Sequence, residues 1–214
     1  MRCFYLWRDG RWFEITEQDK EALCRQAPEF GEILRRADLE SFECKGDLFH
    51  ALVQSIISQQ LSVRVAAVIL KRVEQLLGTV SAENLLSAET DALRGCGLSG
   101  RKIGYLRGIA EAALSGTVAF DTLAERPDSE VIAELVKLKG VGVWTAEMLL
   151  IFALGRPDVL SFKDLGIRCG IMMLNHLDSL TESEFEVYRK RYSPYGTLAS
   201  LCLWRIKDGG LSME

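Results

Sequence analysis

Apolar residues recur every three or four positions from about residue 48 onward, the spacing that returns side chains to one face of an α-helix. The first such stretch runs through Phe49, Leu52, Ile56, Leu61, Val65 and Val68. Glycines interrupt the pattern and divide it into separate helices. Residues 2–15 instead mix apolar and polar positions around the turn pair Asp9-Gly10, which favours strands. The pattern predicts a mostly α fold with a short N-terminal β-hairpin.

Local signals mark several helix boundaries. Thr16 followed by Asp19 forms a candidate capping box, and Asp128, directly after a proline, resembles the start of another helix. Gly155 is expected to end one helix, and a further helix is expected to begin near Asp164. These signals agree with the helical periodicity.

The charge is unevenly distributed, although the net charge of the 214-residue chain is −4. A negative total argues against general attraction to nucleic acid, but binding depends on local charge. Residues 48–73 and 92–110 contain basic residues, among them Arg64, Arg101 and Lys102, and no acidic ones. Two interpretations stay open for each cluster: a solvated helix face, or a rim that contacts phosphates.

The cysteine pattern excludes some common cofactor sites. Six cysteines are spread along the chain without a Cys-x-x-Cys pair, which argues against a zinc ribbon and a cysteine-ligated iron–sulfur cluster. Apolar runs are too short to cross a membrane, and the first residues lack the apolar core of a signal peptide. We expect a cytosolic protein with reduced cysteines and no membrane association.

A pair of glycines stands between two predicted helices in the segment Leu138–Ala146. Gly140 and Gly142 permit a tight backbone and expose amide groups where the second helix begins, which suits a phosphate. The alternative is an ordinary corner between helices. Asp164 follows at the start of a later helix, where a carboxylate is either a plain N-cap or a functional group.

Five blocks of sequence, in order, resemble the helix-hairpin-helix DNA glycosylase superfamily, and within it the 3-methyladenine DNA glycosylase II group. The blocks are Ser55–Val63, Cys96–Leu106, Leu138–Met148, Arg156–Arg168 and Tyr192–Arg205. The resemblance covers roughly residues 40–207, and five linked blocks are more specific than the glycine pair alone.

The resemblance implies cleavage of the N-glycosidic bond of a damaged base that is flipped out of duplex DNA. It places the catalytic carboxylate on Asp164, which would stabilise the cationic sugar and orient water. The other implied site residues are the base pocket (Trp144, Tyr195, Met148 and Trp204), the DNA-binding hairpin (Gly140, Val141, Gly142 and Thr145), the wedge that fills the vacated place in the duplex (Gln60, then Leu61) and the phosphate rim (Arg64, Arg101 and Lys102).

Two features narrow the implied reaction. Bifunctional members of the superfamily carry a nucleophilic lysine where this chain has Trp144, so the resemblance implies a monofunctional hydrolase. Neither His50 nor His176 belongs to a matched block, which leaves no obvious general acid and favours alkylated purines that already carry positive charge. Lys163 precedes Asp164, where many members have a second acid, and could partly neutralise it.

The expected architecture is a hairpin with leading helices over residues 1–45 and a glycosylase core over residues 46–207. The core would form a two-lobed helical bundle with the site in the cleft between two interleaved lobes. We expect a monomer that acts on damaged double-stranded DNA, in a bacterial cytoplasm at the nucleoid or in a eukaryotic nucleus. No iron–sulfur cluster or other cofactor is expected, although such hairpins can hold a monovalent cation. Two alternatives stay open: a glycosylase for deaminated or oxidised purines, and a non-catalytic helix-hairpin-helix DNA-binding module.

Overall fold

The computed structural model describes residues 11–37 and 39–209 and is mostly helical over those ranges. The elements in chain order are β1 (Arg11–Phe13), α1 (Glu17–Gln26), a 3-10 turn (Pro28–Phe30), α2 (Gly31–Arg36), β2 (Phe42–Cys44), α3 (Leu48–Ser58), α4 (Val63–Leu77), α5 (Ala82–Ser87), α6 (Thr90–Gly95), α7 (Gly100–Leu114), α8 (Phe120–Leu123), α9 (Asp128–Leu135), α10 (Val143–Phe152), α11 (Leu165–Leu174), α12 (Glu182–Tyr192) and α13 (Gly196–Lys207). Within the described ranges, none of these helices is long and apolar enough to cross a membrane.

The chain divides into two compact units. The first unit combines the described residues up to Cys44 with those from Leu150 onward, and the second unit is Lys45–Leu149. The chain therefore leaves the first unit and later returns to it.

The first unit is built around α11 and α13, which pack closely along their length. Gly170 of α11 permits this approach, because a Cβ there would lie 2.6 Å from the carbonyl oxygen of Leu203 on α13. Phe30, Phe185 and Tyr192 are fully buried in the surrounding core, and the rings of Phe30 and Tyr192 meet edge to face at 4.9 Å. Burial of each such side chain contributes about 1.5–3 kcal/mol.

A small antiparallel sheet also belongs to the first unit. β1 pairs with β2 in a register that places Phe13 opposite Phe42, and their rings stack at 5.1 Å. Much of the predicted hairpin over residues 2–15, including its turn at Asp9-Gly10, lies outside the described residues. The sequence predicted no strand beyond that hairpin, and β2 corrects this expectation. Its three residues are too few to display an alternating pattern. β2 forms because β1 supplies its hydrogen-bonding partner.

The second unit centres on α3, which packs against α4, α7 and α8, while α5 and α6 pack against α7. Leu52, Ile56 and Leu106 are fully buried in this unit. Ser62 and Ser99 cap the N-termini of α4 and α7, because each hydroxyl accepts a backbone N–H from the first helical turn.

The predicted helix boundaries are confirmed. Thr16 and Asp19 form a capping box, Asp128 begins α9, and Asp164 caps α11. Gly155 adopts a φ of +62° just after α10, as expected of a helix-ending glycine. The domain limits at residues 45 and 207 stay predictions.

Candidate active site

The predicted helix-hairpin-helix is present in the second unit. After α9, the N–H of Val141 donates to the carbonyl of Leu138 at 3.1 Å, and the carbonyl of Gly142 accepts the N–H of Ala146 at 3.1 Å where α10 begins. The first N–H groups of any helix lack an acceptor within the helix, which is the general reason to expect an anion at the start of α10.

The two hairpin glycines differ in whether the fold itself requires a glycine at their position. Gly140 has a φ of +89°, and a Cβ there would lie 2.4 Å from Cδ2 of Tyr105, so the ring and the backbone both require glycine. Gly142 is exposed, and no atom would lie within 4 Å of an added Cβ. The fold alone therefore does not explain Gly142, whereas close approach of a ligand would.

Thr145, the fourth residue of the predicted DNA-binding hairpin, is buried. Its side chain is only 5% exposed, because it occupies the inward face of α10. The contact of Thr145 with DNA stays a prediction, as does the phosphate contact of the backbone around Gly140, Val141 and Gly142.

The predicted wedge lies in the sharp junction between α3 and α4. Gln60 is exposed and has a φ of +58°, a left-handed conformation that non-glycine residues rarely adopt. Leu61 follows, half-buried, with its N–H donating to the carbonyl of Ser58 at 3.1 Å. Strained backbone is typical of functional sites, which agrees with the prediction for Gln60.

A cavity of about 430 Å³ brings several predicted residues together in the second unit. Its lining comprises Gln59, Gln60, Leu61, Gly97, Ser99, Arg101, Lys102, Tyr105 and Gly140. The wedge, one end of the hairpin and the start of α7 thus share one concave surface.

One residue of the predicted phosphate rim, Lys102, has protein partners of its own. Lys102 is half-buried, and its ammonium donates to the carbonyls of Ile57 and Gln59, each at 2.7 Å. Burial, and to a smaller extent the charge of Arg101, lower the pKa of Lys102. Lys102 is therefore not a free surface cation. Arg64 and Arg101 are exposed, and their contact with phosphate stays a prediction.

The predicted catalytic carboxylate lies in the first unit. Asp164 is 8% exposed, and its Oδ1 accepts the N–H of Ile167 at 2.8 Å and the indole N–H of Trp204 at 3.0 Å. Its role as an N-cap is thus real, but the second hydrogen bond is not needed for capping. Gly166 lets the indole approach, because a Cβ there would lie 2.9 Å from Cδ1 of Trp204.

A row of aromatic rings leads to this carboxylate within the first unit. Trp204 stacks on Phe152 with centroids 5.9 Å apart, and Phe152 lies 5.5 Å from Phe42 of the sheet. Phe152 is 41% exposed, so part of this row is accessible from outside the unit. Phe152 was not among the predicted pocket residues, although it lies on α10 four residues after Met148, which was.

The segment before Asp164 is anchored to the start of α13. Asp158 accepts the N–H of Gly196 at 3.1 Å and the hydroxyl of Ser193 at 2.5 Å. Thr197 donates its hydroxyl to the carbonyl of Arg156 at 2.6 Å. These contacts were not predicted from the sequence. They attach the segment before Asp164 to the start of α13, the helix that also carries Trp204.

The other predicted pocket residues are distributed over both units. Tyr195 is half-buried at the N-terminus of α13, in the same unit as Trp204. Trp144, 42% exposed, and the half-buried Met148 lie on α10 in the second unit. A single base pocket formed by these four side chains stays a prediction.

The cations near Asp164 in sequence both lie against an aromatic ring. The ammonium of Lys163 is 5.5 Å from the centroid of the Phe162 ring, and the guanidinium of Arg168 is 5.2 Å from it. These cation–π contacts give each side chain a partner other than the carboxylate. Among the described residues, no cluster of three His, Cys, Asp or Glu side chains could hold a metal ion.

The comparisons with known proteins agree with one another. The family model described as HhH-GPD superfamily base excision DNA repair protein matches residues 53–194. DNA-3-methyladenine glycosylase 1 of Schizosaccharomyces pombe is 34% identical over 166 residues, which cover 75% of this chain and 73% of the relative. DNA-3-methyladenine glycosylase of Saccharomyces cerevisiae is 35% identical over 68% of this chain, but the match spans only 52% of that longer protein.

Solved structures show the same relationship. The crystal structure of a DNA-3-methyladenine glycosidase from Bacillus halodurans has a TM-score of 0.80 and 35% identity, with 92% of each chain covered. The Schizosaccharomyces pombe 3-methyladenine DNA glycosylase in complex with abasic DNA has a TM-score of 0.76 and 28% identity, covering 91% of this chain and 98% of that one. From its sequence, its hairpin and its fold, this chain belongs to the HhH-GPD superfamily of base excision DNA repair proteins.

Proposed function

We propose that this protein is a monofunctional DNA glycosylase that flips alkylated purines out of duplex DNA and hydrolyses their N-glycosidic bonds. The observation that carries the proposal is the buried carboxylate of Asp164, which accepts two hydrogen bonds on one oxygen and adjoins the partly exposed aromatic row. An N-cap alone needs no indole donor and no neighbouring exposed ring.

The chemistry follows from the charges. A purine alkylated at N3 or N7 is cationic, so it takes both electrons of the N-glycosidic bond and leaves as a neutral base. The sugar becomes an oxocarbenium ion, which a carboxylate stabilises by about 4 kcal/mol at about 4 Å in an effective dielectric of about 20. Water then adds to C1′ and gives up a proton, for which Asp164 is the proposed acceptor.

The aromatic rings suit this leaving group. A cationic purine is attracted to the electron-rich face of a stacked ring. Phe152 and Trp204 offer such faces beside Asp164, and Trp144, Tyr195 and Met148 are the further proposed pocket residues. The names of the similar yeast and Bacillus proteins support alkylated purines as the substrate class.

The proposed DNA contacts lie on the second unit. The backbone amides around Gly140, Val141 and Gly142 would bind a phosphate, and Gln60, with Leu61 behind it, would fill the place of the flipped nucleotide. The abasic-DNA complex of the Schizosaccharomyces pombe protein supports DNA as the partner. We propose a monomer that needs no cofactor and acts in the compartment that holds the genome.

The decisive experiment measures base release from methylated duplex DNA. The wild-type protein is expected to free 3-methyladenine or 7-methylguanine, identified by chromatography. Asp164→Asn keeps an oxygen for both hydrogen bonds but removes the charge, so release is expected to fall about 1,000-fold while duplex binding persists. Release of hypoxanthine or 8-oxoguanine alone would replace the substrate class, and full activity of the variant would refute the mechanism.

The monofunctional character has its own test. Trp144 stands in the first turn of α10, directly after the hairpin, and its indole cannot form a Schiff base. Borohydride added during turnover is therefore expected to trap no covalent protein–DNA adduct. Efficient trapping would show a lyase that uses an amine elsewhere.

A further inference from the structure

We propose that Lys102, together with Gln59, is a positioning residue that holds the wedge residue Gln60 in its left-handed conformation and ties it to the hairpin. This inference rests on the proposed function, because a wedge has a role only if a nucleotide is flipped. Neither Lys102 nor Gln59 is proposed to contact the reacting atoms.

The backbone of Gln60 is strained. Its φ of +58° is sterically unfavourable for any side chain with a Cβ, and glutamine lacks the short polar group that helps asparagine and aspartate adopt it. Such a conformation persists only where surrounding contacts enforce it. The contacts must therefore come from residues on either side of the junction.

Lys102 supplies those contacts. Its ammonium donates to the carbonyls of Ile57 and Gln59, each at 2.7 Å, and so bridges the end of α3 to the residue directly before Gln60. Carbonyls at the end of a helix lack intrahelical partners and carry the negative end of the helix dipole, which makes a half-buried cation a strong ligand for them. The pKa of Lys102 is lowered by this burial, so the position has an electrostatic cost.

Gln59 connects the junction to the hairpin. Its side-chain amide donates to the carbonyl of Gly140 at 2.9 Å, and the ring of Tyr105 covers the same glycine. Lys102, Gln59, Tyr105 and Gly140 all line the cavity described above. The wedge and the proposed phosphate-binding backbone therefore form one connected group within the second unit.

The connection has a kinetic consequence. Flipping a nucleotide costs the free energy of unpairing and unstacking its base. A wedge side chain keeps the vacated place open only if its own backbone holds its position. Without the ammonium, Gln60 is free to return to an unstrained conformation while the hairpin still binds phosphate. Loss of Lys102 should thus lower the rate of base release more than the affinity for DNA.

The test compares Lys102→Met with Lys102→Arg and with Arg107→Met. Arg107 is a matched control, because it also lies half-buried on α7 and donates to a backbone carbonyl, that of Ala88 at 3.0 Å, away from the wedge. Each variant is assayed in single turnover on two DNAs: a lesion paired in a duplex, and the same lesion in an unpaired bulge where flipping is easy. A 2-aminopurine next to the lesion reports flipping directly.

For Lys102→Met we expect release from the paired lesion to fall about tenfold, with reduced 2-aminopurine fluorescence and near wild-type release from the bulge. Lys102→Arg should recover most of the paired rate, and Arg107→Met should match wild type on both DNAs. An unchanged rate and fluorescence in Lys102→Met, or an equal loss on both DNAs, would overturn the inference. If wild type releases no base from either DNA, the proposed function fails instead, while the fluorescence still reports on the wedge.

Discussion

Substitution by alanine should affect the two hairpin glycines differently: it should lower the stability of the protein at Gly140 and the affinity for DNA at Gly142. In Gly140→Ala, the φ of +89° costs about 1–2 kcal/mol for a residue with a Cβ. The new methyl would also lie 2.4 Å from Cδ2 of Tyr105, and overpacking of this kind costs about 1–3 kcal/mol. The sum, roughly 2–5 kcal/mol, corresponds to a fall in Tm of about 4–20 °C for a chain of this size.

Gly142→Ala meets neither obstacle, since its Cβ would contact nothing and its φ is not positive. Its stability should stay within about 0.5 kcal/mol of wild type. Its affinity for undamaged duplex should nevertheless fall about tenfold, because the methyl would separate the amides from a phosphate and remove one charge-assisted hydrogen bond.

The assay pairs thermal unfolding, followed by circular dichroism, with fluorescence anisotropy of a labelled duplex at one fixed salt concentration. Gly31→Ala is the control, because that position is also open and its φ is ordinary, and it lies in the first unit on α2. It should lower neither the Tm nor the affinity for DNA, since alanine at a helical position is neutral or stabilising. If Gly142→Ala binds DNA like wild type, the hairpin is only a corner between helices; if Gly140→Ala is as stable as wild type, the packing argument fails.

Three further changes separate stability from chemistry. Asp164→Ala should lose about 1 kcal/mol of unfolding free energy in urea through the missing N-cap, whereas Asp164→Asn should not; equal stabilities would refute the capping role. Trp204→Phe keeps the stacking on Phe152 but removes the indole N–H, so base release should slow about tenfold at unchanged DNA affinity, and an unchanged rate would remove the indole from the site. Gln60→Gly should relieve the left-handed strain and raise stability by up to about 1 kcal/mol in the same urea assay, yet slow release from paired lesions; a destabilised protein would contradict the strain argument.

The elements that the sequence predicts well are those whose signals are local. Thr16 with Asp19, and Asp164 before α11, act through hydrogen bonds to residues within one helical turn, so their spacing alone identifies them. β2 escaped notice because Phe42–Cys44 is defined by its distant partner, β1, and has too few residues to show a period.

For the candidate site, the sequence indicated residue types but not the contacts that they make. Lys102 was expected to face phosphate because a basic residue in an acid-free stretch has no visible partner in sequence. Its actual partners are the carbonyls of Ile57 and Gln59, and every residue type carries a carbonyl, so no motif announces them. The indole bond from Trp204 to Asp164 likewise joins two helices far apart in sequence.

In the proposed mechanism, the glycines of α11 make base release depend on a packing distance that no substrate touches. Gly166 and Gly170 are one helical turn apart, and Leu203 and Trp204 of α13 rest against them. A single methyl at Gly170 would force the helices apart, while the hydrogen bond from the Trp204 indole to Asp164, which passes beside Gly166, tolerates only a few tenths of an ångström. A seemingly harmless Gly-to-Ala change in the interior could therefore leave a folded protein that still recognises damaged DNA but repairs it poorly.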